Sequence, residues 1–380
     1  MDLTEYRRQI DDVDSRLVDL FTERMRISAG IGAYKKEHGL PVLNAGREKE
    51  KLDAVASMAP EDLAGYTREL YSLLMELSRA YQSRLTGTGS ALTARIEAVA
   101  GTTPLDFPSR AAVACQGVEG AYSQLACGRL FPLADIRYYP TFDAVFEAIE
   151  NGDCRYGVLP VENSTAGTVN KVYDAMQRHS FSIVRSVRLK VDHNLLTLPG
   201  AALSDVRRVY SHEQAISQCS EFLRRLPDAE VIPCANTAVA ARMVAESGRK
   251  DTAAICSLAC TKLYGLSCAA ENIQNQDSNY TRFACISRDL EIYPGADRTS
   301  LMLILSHEPG SLYKVLSRLY ALDINLIKLQ SRPLPDRDFE FMFYFDLDVP
   351  VSSPSLLQLL GELGGMCERF TYLGSYSEVI

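Results

Sequence analysis

The chain reads as a multidomain protein with three parts of different class. The first is all-α, the second is a two-lobed α/β unit, and the third is α+β. Three observations carry this reading. Over the first 85 residues apolar side chains recur at intervals of three and four, the helical period. From about residue 111 short apolar runs alternate with helical stretches, as in α/β folds. From about residue 298 the order becomes β-α-β-β-α-β. A length of 380 residues leaves room for three domains at about 100–200 residues each.

The helical part comes first. Leu3, Tyr6, Ile10, Val13, Leu17, Leu20, Ile27, Ile31 and Tyr34 share one stripe. Asp2, with Glu5 three residues on, is a capping-box-like start. Gly30 and Gly32 weaken the pattern without ending it, and the stop is at His38-Gly39-Leu40-Pro41. About 34 residues at ~1.5 Å each make a helix about 50 Å long. A compact domain of this size has a radius of gyration near ~12 Å, so two shorter helices cannot cover that stripe. It needs a second chain, and a dimer through this segment is expected. A second helix should begin near Asn44. A third should follow Pro60, carrying Leu63, Tyr66, Leu70, Leu73, Leu77 and Tyr81. Residues 86–110, rich in Thr, Gly, Ser and Ala, read as a linker with a helical turn in the middle.

In the middle part, 111–115, 136–139, 155–161, 206–210, 231–233 and 253–256 read as strands. The stretches 123–130, 142–149, 170–177, 214–226 and 238–246 read as helices. The pattern predicts a largely parallel sheet, and 111–290 is long enough for two lobes around a cleft. In the last part, 298–380, strands are expected at 300–305, 323–329, 339–347 and 367–373, with helices at 311–320 and 355–363. That order is the ferredoxin-like one.

Composition narrows the function classes. Hydrophobic residues make up 47% and charged residues 23%, an ordinary globular balance that excludes a largely disordered chain. The formal net charge of −8 argues against a general nucleic-acid binder but not against a basic pocket for a small anion. No apolar run approaches the roughly 18–20 residues of a membrane span, and the charged N-terminus lacks a signal-peptide core. A cytoplasmic protein is therefore expected, without nucleic-acid or membrane partners. Among the ten cysteines, Cys115, Cys154, Cys256 and Cys285 sit in apolar runs and should be buried. Cys256, Cys260 and Cys268 lack metal-site spacing, so no metal is expected.

The helical segment carries a cationic constellation. Arg24 and Lys35 are eleven residues apart, close to three turns, so they share a face about 16 Å apart. Arg7 lies seventeen residues before Arg24, about 25 Å along the axis, and can join it only from a partner chain. Arg47 and Glu48 open the second helix, and Ser78 and Gln82 share a face of the third. A set of cation and amide donors without a nucleophile–base pair suits a dianion bound without covalent chemistry. The spacing Arg7…Glu23-Arg24…Gly32-x-x-Lys35…Arg47-Glu48…Ser78-x-x-x-Gln82 resembles the all-helical chorismate mutase domain over residues 3–85. The resemblance implies an intertwined helical dimer that rearranges chorismate to prephenate. It implies Arg7 of the partner chain, Arg24 and Arg47 around the carboxylates. Lys35 and Gln82 would donate to the ether oxygen, where charge grows as the bond breaks, and Glu48 would hold the ring hydroxyl. Asn44 stands where the family often has Asp, which implies weaker binding rather than lost activity.

Four polar clusters mark the middle part. Gln116-Gly117-Val118-Glu119-Gly120-Ala121-Tyr122-Ser123 leads from a strand into a helix, where backbone N–H groups can face an anion. Pro160–Gly167 includes Glu162-Asn163-Ser164. Tyr210-Ser211-His212-Glu213-Gln214, with Gln218 one turn on, leaves another strand. Asn279-Tyr280-Thr281-Arg282-Phe283 precedes a further one. In open α/β sheets ligands bind beyond the carboxyl ends of strands, where the first three would gather. Thr281-Arg282-Phe283 and Glu162-Asn163-Ser164 resemble motifs of prephenate dehydratase, across residues 111–290. The resemblance implies loss of water and CO₂ from prephenate, with Thr281 assisting the leaving hydroxyl within a donor network. Asn163, Ser164, Ser211, Gln214, Arg282 and Phe283 are its implied neighbours, with Arg282 a carboxylate partner. His212 is either a general acid or a helix cap. The family's Gly-Pro-x-Gly-Thr-Tyr-Ser is met by Val118 for Pro and Ala121 for Thr.

Residues 298–375 resemble an ACT regulatory domain. Its implied effector residues are Gly310, Ser311, Leu312, Asn325, Leu326, Gln330, Ser331 and Arg332, with Gln330 replacing the Glu of Glu-Ser-Arg-Pro. The domain order as a whole resembles the bifunctional chorismate mutase/prephenate dehydratase family. That implies L-phenylalanine biosynthesis with feedback inhibition by L-phenylalanine, a homodimer or higher homo-oligomer, and no cofactor. Two other readings are a two-lobed binding module in the middle and a helical arm serving only dimerisation.

Overall fold

The computed structural model describes residues 2–40, 44–86, 90–335, 337–338 and 340–380. Pro41 in the expected stop of the first helix, residues 87–89 of the expected linker, and Phe339 lie outside the described residues.

Helix α1 runs Leu3–Glu37, 35 residues, and the Asp2 side chain caps it by accepting from the Glu5 amide at 2.8 Å. Lys35 and Lys36 sit in its last turn, beside the negative end of the helix dipole. Helices α2 (Ala45–Met58) and α3 (Ala64–Thr86) follow, and both α1 and α2 pack on α3. The apolar stripe of α1 stays open to solvent in the single chain. Tyr6, Ile10, Val13, Leu17, Leu20 and Ile27 are each more than half exposed. The expected linker holds a full helix, α4 (Ser90–Thr102), with Ile96 1% exposed. Its alanines, the best helix formers, outweigh the flanking Gly and Thr.

The middle elements are β1 (Ala112–Gln116), α5 (Tyr122–Leu130), β2 (Asp135–Tyr139), α6 (Phe142–Glu150), β3 (Tyr156–Asn163), β4 (Gly167–Thr168), α7 (Asn170–Met176), β5 (Ser182–Lys190) and β6 (Asn194–Thr197). Then come β7 (Arg208–Ser211), α8 (Glu213–Gln218), α9 (Ser220–Leu223), β8 (Glu230–Pro233), α10 (Thr237–Ser247), β9 (Thr252–Cys256), α11 (Ala259–Tyr264), β10 (Ser267–Ala270) and β11 (Tyr280–Ser287). The last are β12 (Arg298–Ile304), α12 (Ser311–Ala321), β13 (Asn325–Pro333), β14 (Phe341–Asp348), α13 (Pro354–Leu363), β15 (Arg369–Tyr376) and β16 (Glu378–Val379).

Two sheets form the two lobes of the middle part. One has the order β16-β5-β11-β3-β1-β2, with β4 on β3, and the other β10-β6-β9-β7-β8. The largely parallel sheet expected from the sequence is corrected to two mixed sheets. β11, returning from the second lobe, slots between β3 and β5 and runs antiparallel to both. In the second sheet β6 is antiparallel to β9 and β10. Parallel pairs survive where a helix bridges the strands, as between β1 and β3 or β7 and β9. The helix expected over 214–226 is broken at Cys219 into α8 and α9. Cys115, Cys154, Cys256 and Cys285 are buried. The last sheet has the order β13-β14-β12-β15.

The chain divides into two compact units: residues 1–101 with 301–371, and 102–300 with 372–380. In the first, α3 packs against α13 as well as against α1 and α2. Among the described residues no helix is long and apolar enough to cross a membrane.

Candidate functional site

In the first unit, one face of α1 meets one face of α3. Arg24, Ser28, Gly32 and Lys35 follow at helical spacing along α1. Arg24 donates to the Ser78 hydroxyl and, at 3.0 Å, to the Leu74 carbonyl. Gln82 Nε2 donates to Ser28 Oγ at 2.7 Å, and Ser28, Ser78 and Gln82 are buried. Gly32 has a packing reason to be glycine: a Cβ there would lie 3.0 Å from Gln82 Cγ. Glu48 reaches across from α2 to pair with Arg79 of α3. The sequence constellation does not include Ser28 or Arg79. Ser28 carries a signal, since it lies four residues from both Arg24 and Gly32.

The remaining residues of the constellation are dispersed. Lys35 is half-buried, while Arg7 is exposed in the second turn of α1. Arg47 is exposed and 3.3 Å from Glu50. Asn44 is the N-cap of α2, its Oδ1 accepting from the Arg47 amide at 3.0 Å. Asn44 Oδ1 is thus taken by a capping bond.

In the second unit, polar side chains from both lobes close a circuit. Asn163, at the end of β3, accepts on Oδ1 from the backbone amides of Thr165 at 3.1 Å and Ala166 at 2.9 Å. These amides fix its orientation, so Nδ2 must face the other way. It donates to Asn279 Oδ1 at 2.7 Å and to Thr281 Oγ1 at 2.9 Å. Asn279 Nδ2 donates to Gln218 Oε1 at 3.1 Å. Gln218 Nε2 donates to Thr165 Oγ1 at 2.6 Å, and that hydroxyl donates back to Asn163 Oδ1 at 2.7 Å. All four members donate in one sense around the loop. His193, 3% exposed, donates from Nε2 to Gln218 Oε1 at 2.8 Å. Burial holds its pKa below the usual histidine value, which favours the neutral ring needed for that tautomer.

The circuit has one consequence for Thr281. It is 9% exposed, and its oxygen already accepts from Asn163. Among the described residues its own proton has no acceptor, so the O–H is available to a bound molecule.

Other expected members serve the scaffold. Ser211 is fully buried and donates to the Ile255 carbonyl at 2.7 Å. His212 is the N-cap of α8, accepting from the Gln214 amide at 3.3 Å, and Gln214 is half-buried beside it. Ser164 donates to the Ser278 carbonyl and accepts from the Tyr280 amide, both at 2.9 Å, tying down the entry to β11. The Gly120 amide, expected to face an anion, is taken by Gln124 Oε1 at 2.5 Å.

Two expectations are corrected. Arg282 does not share a face with Thr281, because neighbours on a strand point to opposite sides. It lies 3.4 Å from Glu162 and 2.9 Å from Glu378. Phe283 is 1% exposed and belongs to the apolar core with Val158, Cys285 and Tyr293. Within the circuit, Gln218, Asn279 and Thr165 lay inside the polar clusters of the sequence. His193 was missed; its only signal is the polar triplet Asp192-His193-Asn194 between two apolar runs.

In the last sheet region, Gly310 has φ +85° and starts α12. Ser311 and Leu312 line a hollow of about 360 Å³ with Pro309, Glu308, Phe341 and Phe343. Gln330, Ser331 and Arg332 lie on β13 opposite Tyr344, Phe343 and Met342, while Asn325 and Leu326 start that strand.

Two segments of the chain match known families. Residues 6–83 match the family model for chorismate mutase type II, and residues 113–291 that for prephenate dehydratase. The bifunctional chorismate mutase/prephenate dehydratase of Escherichia coli strain K12 is 30% identical over 385 residues, covering 98% of this chain and 96% of that protein. Arogenate dehydratase 2 of Petunia hybrida is 36% identical over 286 residues, 70% of this chain and 72% of its own. A solved prephenate dehydratase from Arthrobacter aurescens, in complex with L-Phe, aligns with TM-score 0.65 and 27% identity, covering 70% of this chain and 89% of that one. With both motif sets standing in the matched segments and a relative alike along nearly its whole length, the chain belongs to the bifunctional chorismate mutase/prephenate dehydratase family.

Proposed function

We propose that the two polar sites act in sequence, one on chorismate and one on prephenate. The observation that carries the second step is the one-way circuit, which leaves the Thr281 proton available for donation. In prephenate the pair of electrons released with CO₂ enters the ring, and the ring hydroxyl departs. Thr281 hydrogen-bonds the departing oxygen as charge builds on it, and that oxygen takes up one proton from solvent to leave as water. Phenylpyruvate remains, aromatic and on the way to L-phenylalanine. A chorismate-fed assay that follows prephenate and phenylpyruvate separately tests both steps. Chorismate left unconsumed overturns the first; prephenate that accumulates without phenylpyruvate overturns the second.

For the first step, Arg24 and Arg47, with Arg7 of a second chain, surround the carboxylates, and Lys35 and Gln82 stabilise the ether oxygen. The bare stripe on α1 supports a dimer through this segment. Gln82 is held by Ser28 and by the flat surface of Gly32, so Gly32→Ala should displace it. Mutase turnover should fall about tenfold or more, since small misplacements of a catalytic donor are costly. Helix content by circular dichroism should not fall, because alanine is the better helix former. Unchanged mutase kcat would remove Gln82 from the site.

The last segment has the element order of an ACT domain, and the hollow beside Ser311 and Leu312 has the size for an amino acid. L-phenylalanine at saturating concentration should therefore raise the thermal midpoint of the full chain, as any ligand specific to the folded state does. A midpoint that stays put at millimolar L-phenylalanine counts against regulation through this segment.

A further inference from the structure

The back of the catalytic strand is held by a charge cluster. β16 pairs with β5, Glu378 opposite Ser186, and β5 borders β11 with Arg188 opposite Arg282. The Glu378 side chain is 2% exposed. Three guanidinium groups close on it: Arg282 Nε at 2.9 Å, Arg188 Nη2 at 3.1 Å and Arg298 Nη2 at 3.2 Å. Arg188 and Arg282 are direct cross-strand neighbours of like charge, an arrangement that repels unless an anion sits against both. Glu162, opposite Arg282 on β3, supplies a second and more exposed carboxylate at 3.4 Å.

The segment that delivers Glu378 is firmly seated. The Ser186 amide donates to the Ser377 carbonyl at 3.1 Å, and the Asp297 amide to the Tyr376 carbonyl at 3.2 Å. Thr299 and Ser375 share a buried hydrogen bond of 2.7 Å. Gly374 has φ +142°, and a Cβ there would collide with the Ile183 carbonyl oxygen, so only glycine allows this close approach to β5.

β11 needs such a hold. Its ladder is irregular on both sides, between Arg282 and Phe283 against β3 and between Cys285 and Ile286 against β5. Each bulge belongs to one register, and a one-residue slip from it would exchange the faces of Thr281 and Arg282.

We propose that Glu378 is a positioning residue for the dehydratase reaction. Its carboxylate gathers Arg188, Arg282 and Arg298 behind the sheet and holds β11 in the register that presents Thr281 to the circuit. The proposal rests on the reading of Thr281 as the assisting hydroxyl. Arg282 then serves the reaction from behind the strand and not as a ligand of the substrate carboxylate.

The test uses the full chain, with prephenate for the dehydratase and chorismate for the mutase, which reports folding of the rest of the chain. Glu378→Gln should lower dehydratase kcat about tenfold or more, with KM little changed. Glu378→Asp, which keeps the charge, should recover part of that loss. If Glu378 acts through Arg282, the pair Glu378→Gln with Arg282→Gln should lose little more than Arg282→Gln alone. An unchanged kcat in Glu378→Gln, independent losses in the pair, or a rise in KM alone overturns the proposal. If Glu378→Gln does not fold, Glu378→Asp decides: a lowered kcat with intact mutase supports it, and an unchanged kcat overturns it. Thr281→Ala run alongside separates the two readings, because turnover retained there removes the catalytic hydroxyl whatever Glu378 does.

Discussion

Thr281→Ala should lower phenylpyruvate formation by about 10²–10⁴-fold, the usual range for loss of a positioned proton donor. Chorismate should still be converted to prephenate at the wild-type rate, because the α1–α3 site lies in the other compact unit. The effect is large because of hydrogen-bond direction. Asn163 is oriented by two backbone amides, and this forces Asn279, Gln218 and Thr165 to donate in turn. Thr281 receives from Asn163 and gives to none of the described residues. Alanine removes the only group at that position able to donate to the departing oxygen. Thr281→Ser, which keeps the hydroxyl, should retain measurable turnover. Loss of both activities in Thr281→Ala would sink the two-site picture.

Mixing two inactive mutase variants should restore activity. Lys35→Ala should lower mutase turnover by about 10²–10³-fold, the range for removing one donor to a developing charge, and Arg7→Ala by about 10²-fold through loss of a carboxylate clamp. After subunit exchange, half the dimers carry one chain of each kind. In each of these one site keeps both Arg7 and Lys35 and the other has neither, so about a quarter of wild-type activity should return. The expectation follows from length. Arg7 lies about 25 Å from Arg24 along α1 and cannot share a small ligand with it inside one chain. The exposed stripe of Tyr6, Ile10, Val13, Leu17 and Leu20 supplies the surface on which a second chain would lie. Dehydratase activity, unchanged throughout, is the control for folding. No recovery after exchange would exclude a shared site.

Some of the candidate sites could be read directly from the chain. The long helix, its cap at Asp2 and the Arg24–Lys35 face follow from periodicity, which is local. Thr281 and Asn163 stood in quoted motifs, and cross-strand pairing of β11 with β3 puts them opposite each other. His193 was not legible, because a lone histidine between apolar runs gives no sign of the glutamine it will meet 25 residues later. The motifs point to Asn44 and Ser211 as ligands, yet a capping bond and a backbone bond engage them. Short polar side chains beside free backbone groups satisfy those groups first. The motif alone points Arg282 to the substrate, because its partner Glu378 lies 96 residues further on and no local pattern joins them.

What the sequence determined by itself was therefore the class of each part, the length of the first helix and the identity of the motif residues. These depend on side-chain period and on residue chemistry over a few turns. The tertiary structure alone decided the mixed strand order, the direction of the polar circuit and the face on which each motif residue works. β11 was free in sequence to lie anywhere in the sheet. Its insertion between β3 and β5 turned Thr281 toward Asn163 and Arg282 toward Glu378. Strand alternation then assigned the chemistry to one residue and the anchoring to its neighbour.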